Sequence, residues 1–179
     1  YSSALFDGNQ PQPLQAAQDA KYRRILDRLA AEPGQSVLEI GCGWGGFAEM
    51  ATRDGLAVTG LTLSPAQLAW ARQRVPSADL RLQDYRDTTE RFDHVVSIEM
   101  FEAVGERWWP TYFRTVANAL KPEGRAVVQS ITIRDDLFAA YRRGTDFIQQ
   151  YIFPGGMLPS RAEFRAQAER QGLVVRDEY

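Results

Sequence analysis

The chain has 179 residues, 44% of them hydrophobic and 25% charged, with a net charge of −2, the proportions of one globular domain with a sizeable core. That charge balance leaves no basic field for nucleic acid, and no apolar run approaches the ~18–20 residues of a membrane span. The single cysteine, Cys42, excludes an intrachain disulfide and fits a reducing cytoplasm; because the chain opens on Tyr1 and stops inside the alternating stretch 173–179, a fragment of a longer protein is expected.

In chain order, residues 13–32 carry a helical stripe (Tyr22, Ile25, Leu26, Leu29) that Pro33-Gly34 closes. Ser36–Ile40 reads as a short buried strand, and Phe47–Arg53 as the helix after a glycine turn. Leu56–Leu63 predicts a second strand, and Ser64-Pro65 caps the helix after it. Leu80–Leu82 and His94–Ile98 predict further strands. Trp108–Leu120 predicts an amphipathic helix closed by Lys121-Pro122-Glu123-Gly124, with a strand over Arg125–Ile133 behind it. Residues 134–160 break the rhythm with aromatics and a Pro-Gly-Gly turn, which suggests an inserted lid or substrate-binding segment. A helix over Arg161–Gln171 and a truncated strand finish the chain. This alternation implies a single α/β domain over 1–179, a mostly parallel twisted sheet with helices on both faces. A truncated last strand would leave a sheet edge open to a partner, such as a second copy of the chain in a homodimer.

The chemistry centres on Val37-Leu38-Glu39-Ile40-Gly41-Cys42-Gly43-Trp44-Gly45-Gly46, where a strand ends in an acid and breaks into glycines. Such a loop lets a ligand approach the backbone at a strand's carboxyl end. Gly41, Gly43 and Gly46 satisfy G-x-G-x-x-G, a weak signal alone. A dinucleotide site wants an acid roughly 20 residues on, at the end of the second strand; here the residues are Gly60-Leu61-Thr62-Leu63-Ser64. Glu39 ahead of the loop resembles the acidic residue of the methyltransferase first motif, and Gln83-Asp84-Tyr85 after the third strand falls where methyltransferases contact adenine. The resemblance implies S-adenosylmethionine, with a dinucleotide or a glycine turn without ligand as the alternatives.

Beyond these residues, the chain resembles the cyclopropane fatty acid synthases and the related mycolic acid cyclopropane synthases and methyltransferases. The likeness rests on Tyr1-Ser2-Ser3-Ala4-Leu5-Phe6, the glycine loop with Trp44, and Gly60-Leu61-Thr62-Leu63-Ser64. It continues through Gln83-Asp84-Tyr85-Arg86-Asp87, Ser97-Ile98-Glu99-Met100-Phe101-Glu102-Ala103-Val104-Gly105 and Tyr151-Ile152-Phe153-Pro154-Gly155-Gly156-Met157-Leu158-Pro159-Ser160. It implies a Rossmann-like class I methyltransferase domain, in which residues 1–35 cover the cofactor. The implied reaction adds a methyl or methylene group from S-adenosylmethionine to the double bond of an unsaturated fatty acyl chain of a phospholipid. A carbocation then loses a proton to close a cyclopropane. Such an enzyme would work in the cytoplasm, peripheral to the inner face of the membrane. Two alternatives stand beside it: a C-methyltransferase making a non-cyclopropane lipid or acting on another small molecule, and a non-catalytic cofactor-binding subunit.

The resemblance also assigns residues. Tyr1 and Ser2 match the family's N-terminal cofactor contact, Gly41 and Gly43 let the methionine end approach the backbone, and Gly45 with Gly46 lets the helix N-terminus lie close. Glu39 and Cys42 are cofactor-binding positions of the same loop, the Cys42 thiol itself being read as structural. Thr62, Leu63 and Gln67 fall at the ribose and adenine, and Asp84, Tyr85 and Ile98 follow. Glu102 is the catalytic candidate, because in the family a glutamate there helps hold a bicarbonate ion that serves as base. The plainer reading is a helix N-terminal acid. Ser3 stands where the family usually has cysteine, Gln129 where it has histidine, and Ile131 where backbone groups face the ion.

His94 is expected at the surface, and no metal site is expected. Trp108 and Trp109 belong either to the core or to a membrane interface. Phe138, Tyr141, Phe147, Tyr151, Ile152 and Phe153 either line an acyl cavity or pack as plain core. Arg134, Arg142 and Arg143 meet either lipid phosphates or solvent.

Overall fold

The computed structural model describes residues 2–8, 11–144, 150–151 and 155–179. The chain falls into two compact units, one of Tyr1–Ile98 and Ala119–Val128, the other of Glu99–Asn118 and Gln129–Tyr179.

The first unit holds a five-stranded sheet of β1 (Ser36–Ile40), β2 (Ala57–Thr62), β3 (Asp79–Leu82), β4 (Phe92–Ile98) and β5 (Leu120–Gln129, up to Val128), in the order β3-β2-β1-β4-β5. β1 pairs in parallel with β2 and β4, and β2 with β3, so that Ile40 stands opposite both Leu61 and Ser97. Strand order reverses at β1, and the crevice at such a switch point is where open α/β sheets bind ligands. The central strands are apolar because they are covered, as parallel strands must be: Val37, Leu38, Val95 and Val96 are wholly buried.

Helices α1 (Leu14–Leu29), α2 (Gly46–Arg53) and α3 (Pro65–Arg74) flank this sheet. α1 buries Ala17, Lys21, Ile25, Leu26 and Leu29, one face at a spacing of three to four. It ends before the Pro33-Gly34 stop, with Ala30 in the left-handed region and its amide on Leu26 and Asp27 carbonyls. Proline disfavours helix at the residue before it, so the turn falls earlier. α3 starts as expected, the Ser64 side chain accepting from the Gln67 amide with Pro65 at its first position.

Two expectations shift in this unit. β5 begins at Leu120 and stops at Gln129, four residues short of Ile133. His94 is buried, not at the surface, because β4 begins at Phe92 and carries it into the sheet; its Nε2 meets Gln35 Oε1 at 2.9 Å. Burial lowers its pKa. At the sheet's base, Asp93 accepts from the Ser36 amide (2.9 Å), the Ser36 hydroxyl (2.7 Å) and Lys121 (2.9 Å), which holds its carboxyl well below the usual range.

The second unit carries α4 (Trp109–Ala119, up to Asn118), α5 (Asp135–Arg143) and α6 (Arg161–Arg170). Phe101 is its hub, with ring centroids of Trp109, Tyr112, Phe113 and Phe164 4.9–5.4 Å away. Such aromatic pairs add about 0.5–1.5 kcal/mol each beyond area burial. Trp109 is core, its indole N–H donating to the Val104 carbonyl, whereas Trp108 is 39% exposed beside Arg107. Phe138 stacks on Trp109, and the Leu158 amide donates to the Tyr141 hydroxyl. Tyr151 is exposed; Phe147, Ile152 and Phe153 lie outside the described residues. Arg134 and Arg142 are paired with Asp136 and Glu106, and Arg143 is exposed. Residues 173–179 form no strand, because alternation becomes a strand only where another backbone pairs with it; Val174 is exposed instead. Among the described residues, no helix is long and apolar enough to cross a membrane.

Candidate functional site

In the first unit the glycine loop leaves β1 at the switch point. Gly41, Gly43 and Gly45 all take positive φ (85°, 52° and 78°), which L side chains rarely adopt. The Gly41 and Cys42 amides both donate to the Leu61 carbonyl, tying the loop to β2. A Cβ on Gly43 would meet nothing within 4 Å, so the loop has open space on that side. Gly45 caps α2, whose N-terminus carries the positive end of the helix dipole.

Glu39 lies beneath this loop and is 3% exposed. Burial raises its pKa well above the usual carboxylate range, against the charge of Lys21 and a hydrogen bond with the Ala48 backbone. Its Oε2 has no hydrogen-bond partner among the described residues. A buried acceptor without a donor is costly, so Glu39 has capacity for a cationic or N–H-bearing ligand. The Cys42 thiol is buried, with its pKa pushed up to about 12 by burial and by Glu39, which makes it inert packing.

The other first-unit candidates lie at strand ends. Thr62 is buried, and its hydroxyl bonds the Ser64 amide and the Gln67 side chain. Leu63 is 69% exposed, a large apolar side chain left to solvent just past β2. Asp84 caps the short turn Tyr85–Asp87 and pairs with Arg86, which lowers its pKa. Burial raises the Tyr85 pKa. Ile98 packs against the sheet core. Ser2 and Ser3 are tied to α1 through Lys21, which donates to the Ser2 hydroxyl and the Ser3 carbonyl. Tyr1 lies outside the described residues.

In the second unit the structure joins Glu102 with Ile131. Glu102 sits in a single 3-10 turn, Phe101–Ala103, and is 8% exposed. The Ile131 amide donates to its Oε1, and its Oε2 has no hydrogen-bond partner among the described residues. Burial raises its pKa, opposed first by the Ile131 amide, while the charge of Glu99 adds to the rise. The expected β5 ends early for the same reason: the Ile131 amide serves this carboxylate, not a strand.

Gln129 is not on Glu102. Its side-chain amide donates to Glu99 Oε1 at 2.7 Å, and its carbonyl accepts the Glu99 amide at 2.9 Å. Glu99 has φ 48°, uncommon for a residue with a side chain and a mark of a constrained position. Sequence reasoning missed Glu99, and nothing in its local pattern signals it. It also missed Lys21, for which a signal exists: a lysine between Ala17 and Ile25 occupies a core position of an apolar stripe. Ser3 belongs to the first unit; Glu102, Gln129 and Ile131 belong to the second. Among the described residues, no three or more of His, Cys, Asp or Glu are grouped to hold a metal.

Comparison with known proteins follows the same lines. The family model described as mycolic acid cyclopropane synthetase matches residues 1–179. The tuberculostearic acid methyltransferase of Mycobacterium tuberculosis is 42% identical over 190 residues, covering 99% of this chain and 44% of its own length. The cyclopropane-fatty-acyl-phospholipid synthase of Escherichia coli K12 is 41% identical over 168 residues, covering 92% and 42%. The chain thus spans less than half the length of these relatives. A mycolic acid cyclopropane synthase solved with SAH and CTAB superposes with a TM-score of 0.86 at 30% identity, covering 99% of this chain and 67% of that one. A [4+2]-cyclase shares the fold at 19% identity with a TM-score of 0.81, so the fold alone does not name the reaction.

Proposed function

The chain belongs to the mycolic acid cyclopropane synthetase family, and from that membership we propose that the whole protein is an S-adenosylmethionine-dependent enzyme that adds a methyl or methylene group to the double bond of an unsaturated fatty acyl chain. The proposed substrate carries that chain on a phospholipid, and the proposed place of action is the cytoplasmic face of the membrane. Glu39, with its unpartnered buried oxygen, and the open side of Gly43 fit the cofactor's amino-acid end. Tyr1, Ser2, Gly41, Cys42 and Gly45 complete that end; Thr62, Leu63 and Gln67 would take the ribose and adenine, with Asp84, Tyr85 and Ile98 beyond. When bound, the cofactor supplies an electrophilic methyl group to the alkene, leaving positive charge on carbon.

The observation that carries the reading is Glu102. A carboxylate that is 8% exposed, oriented by the Ile131 amide through one oxygen and unpartnered at the other, is an acceptor held ready for a ligand. Its Oε2 can accept the hydroxyl of a bicarbonate ion, and the pair together can take the proton that ring closure releases. Phe101 and the rings around it keep the neighbouring turn dry, which suits a carbocation that water would quench.

Gln129 favours a second product. A neutral amide cannot serve as the proton acceptor that an imidazole could, and here it is bonded to Glu99. The carbocation can instead lose a proton from a neighbouring position to Glu102 and its ion, giving a methylenated chain in place of the ring, and a methylated chain follows where a separate hydride donor reduces it. The likeness to the tuberculostearic acid methyltransferase points the same way. Incubating the whole protein with unsaturated phospholipid vesicles and S-adenosylmethionine, then analysing the acyl chains by mass spectrometry, tests both. A chain gained with or without a ring separates the products, and an unchanged acyl pool overturns the function.

A further inference from the structure

Lys21 lies on the buried stripe of α1 at 5% exposure, where its neighbours Ala17 and Ile25 are core residues. Leucine would suit that position by packing alone, and a buried ammonium needs close partners. It has them. Its Nζ donates to the Ser2 hydroxyl, to the Ser3 carbonyl at 2.9 Å and to Gln18 Oε1 at 2.6 Å. The Gln18 side chain donates in turn to the Ser2 carbonyl at 2.8 Å, and the Leu5 amide to the Ala17 carbonyl at 2.9 Å. The segment 2–5 is therefore fastened to α1 at Ser2, Ser3 and Leu5.

The same lysine connects to the glycine loop. It stands 4.7 Å over the ring of Tyr22, whose hydroxyl occupies the space a Cβ on Gly46 would need (2.7 Å) and whose ring meets Phe47 edge-on at 6.2 Å. The groups that face Glu39 electrostatically are Lys21 and Tyr22 from α1 and Cys42 from the loop, with the Ala48 backbone from α2. Lys21 is the cation among them.

We propose that Lys21 is a positioning residue of the cofactor site: it latches the N-terminal segment onto α1 and sets a positive charge against Glu39 beneath the glycine loop. The assignment rests on the cofactor reading above. It implies that ordering of Ser2 and ionisation of Glu39 are coupled through one side chain, so that losing the lysine disturbs both.

Calorimetry of S-adenosylhomocysteine binding to the whole protein, as a function of pH, tests it with Lys21→Met and Gln18→Leu. Both variants should weaken binding by on the order of tenfold, as loss of charge-assisted hydrogen bonds does. In Lys21→Met the acid limb of the affinity profile should also move to higher pH, because Glu39 loses its opposing charge. In Gln18→Leu the limb should stay in place. Wild-type affinity in Lys21→Met, or weakened affinity with an unmoved limb, overturns the proposal. Should Lys21→Met not fold, wild-type affinity in Gln18→Leu overturns it. A wild-type protein that binds no S-adenosylhomocysteine overturns the cofactor reading itself, and this assignment with it.

Discussion

Gln129 and Glu99 hold each other twice: the Gln129 side-chain amide donates to Glu99 Oε1 at 2.7 Å, and the Glu99 backbone amide donates to the Gln129 carbonyl at 2.9 Å. This double tie fixes the start of one segment of the second unit against the start of another. It also brings a second carboxylate close enough to Glu102 to help raise its pKa. The polar cluster is therefore Glu99, Glu102, Gln129 and Ile131, with Gln129 serving Glu99.

Replacing Gln129 by His puts a titratable proton acceptor back at that position. In the whole protein, the share of cyclopropane among the lipid products should rise several-fold at the expense of the methylenated chain. Mass spectrometry of the acyl chains checks it; an unchanged ratio would remove Gln129 from the control of product.

Glu102→Gln keeps the shape and the Ile131 contact but removes the anionic acceptor. Product formation should fall by about a hundredfold or more, the usual worth of a positioned acid–base group, with S-adenosylhomocysteine affinity nearly unchanged. Burial raises the Glu102 pKa, so the wild-type rate should decline as pH falls through that raised value. The variant should lack that limb, and a wild-type rate in it would disprove the catalytic role.

Glu39 binds its proton more tightly when folded than its ordinary value of 4.5. The folded chain thus holds more protons than the unfolded one between the two values, and stability falls as pH rises through that window. Denaturant titrations at several pH values should show this decline in the wild type and its absence in Glu39→Gln. The same variant should bind S-adenosylhomocysteine more weakly, since the amide cannot carry the charge.

Gly60 is part of β2, and a Cβ there would lie 2.6 Å from Leu80 Cδ2 and 3.0 Å from Cys42 Cβ. Gly60→Ala should cost roughly 1–3 kcal/mol, the penalty of overpacking. It should also push the Cys42 segment of the glycine loop, so chemical denaturation and S-adenosylhomocysteine affinity should both move. Wild-type stability would mean that β3 yields more readily than the packing implies.

The sequence by itself determined the alternating α/β plan, the position of β1 to the residue, the glycine loop and the Ser64 cap. These follow from local physics: apolar period, a side chain that caps, and backbone angles that only glycine adopts freely. It also carried the family likeness that points to Glu102. Tertiary structure alone decided the rest. Lys21 became a buried latch because the segment 2–5 folds back onto α1, and His94 went inside because β4 starts earlier than its pattern implies. Glu99 entered the cluster through a backbone angle that no residue type announces. Ile131 left its strand because the Glu102 carboxylate took its amide. In each case the deciding partner lies more than a dozen residues away in sequence or in a backbone conformation, where periodicity and propensity carry no information.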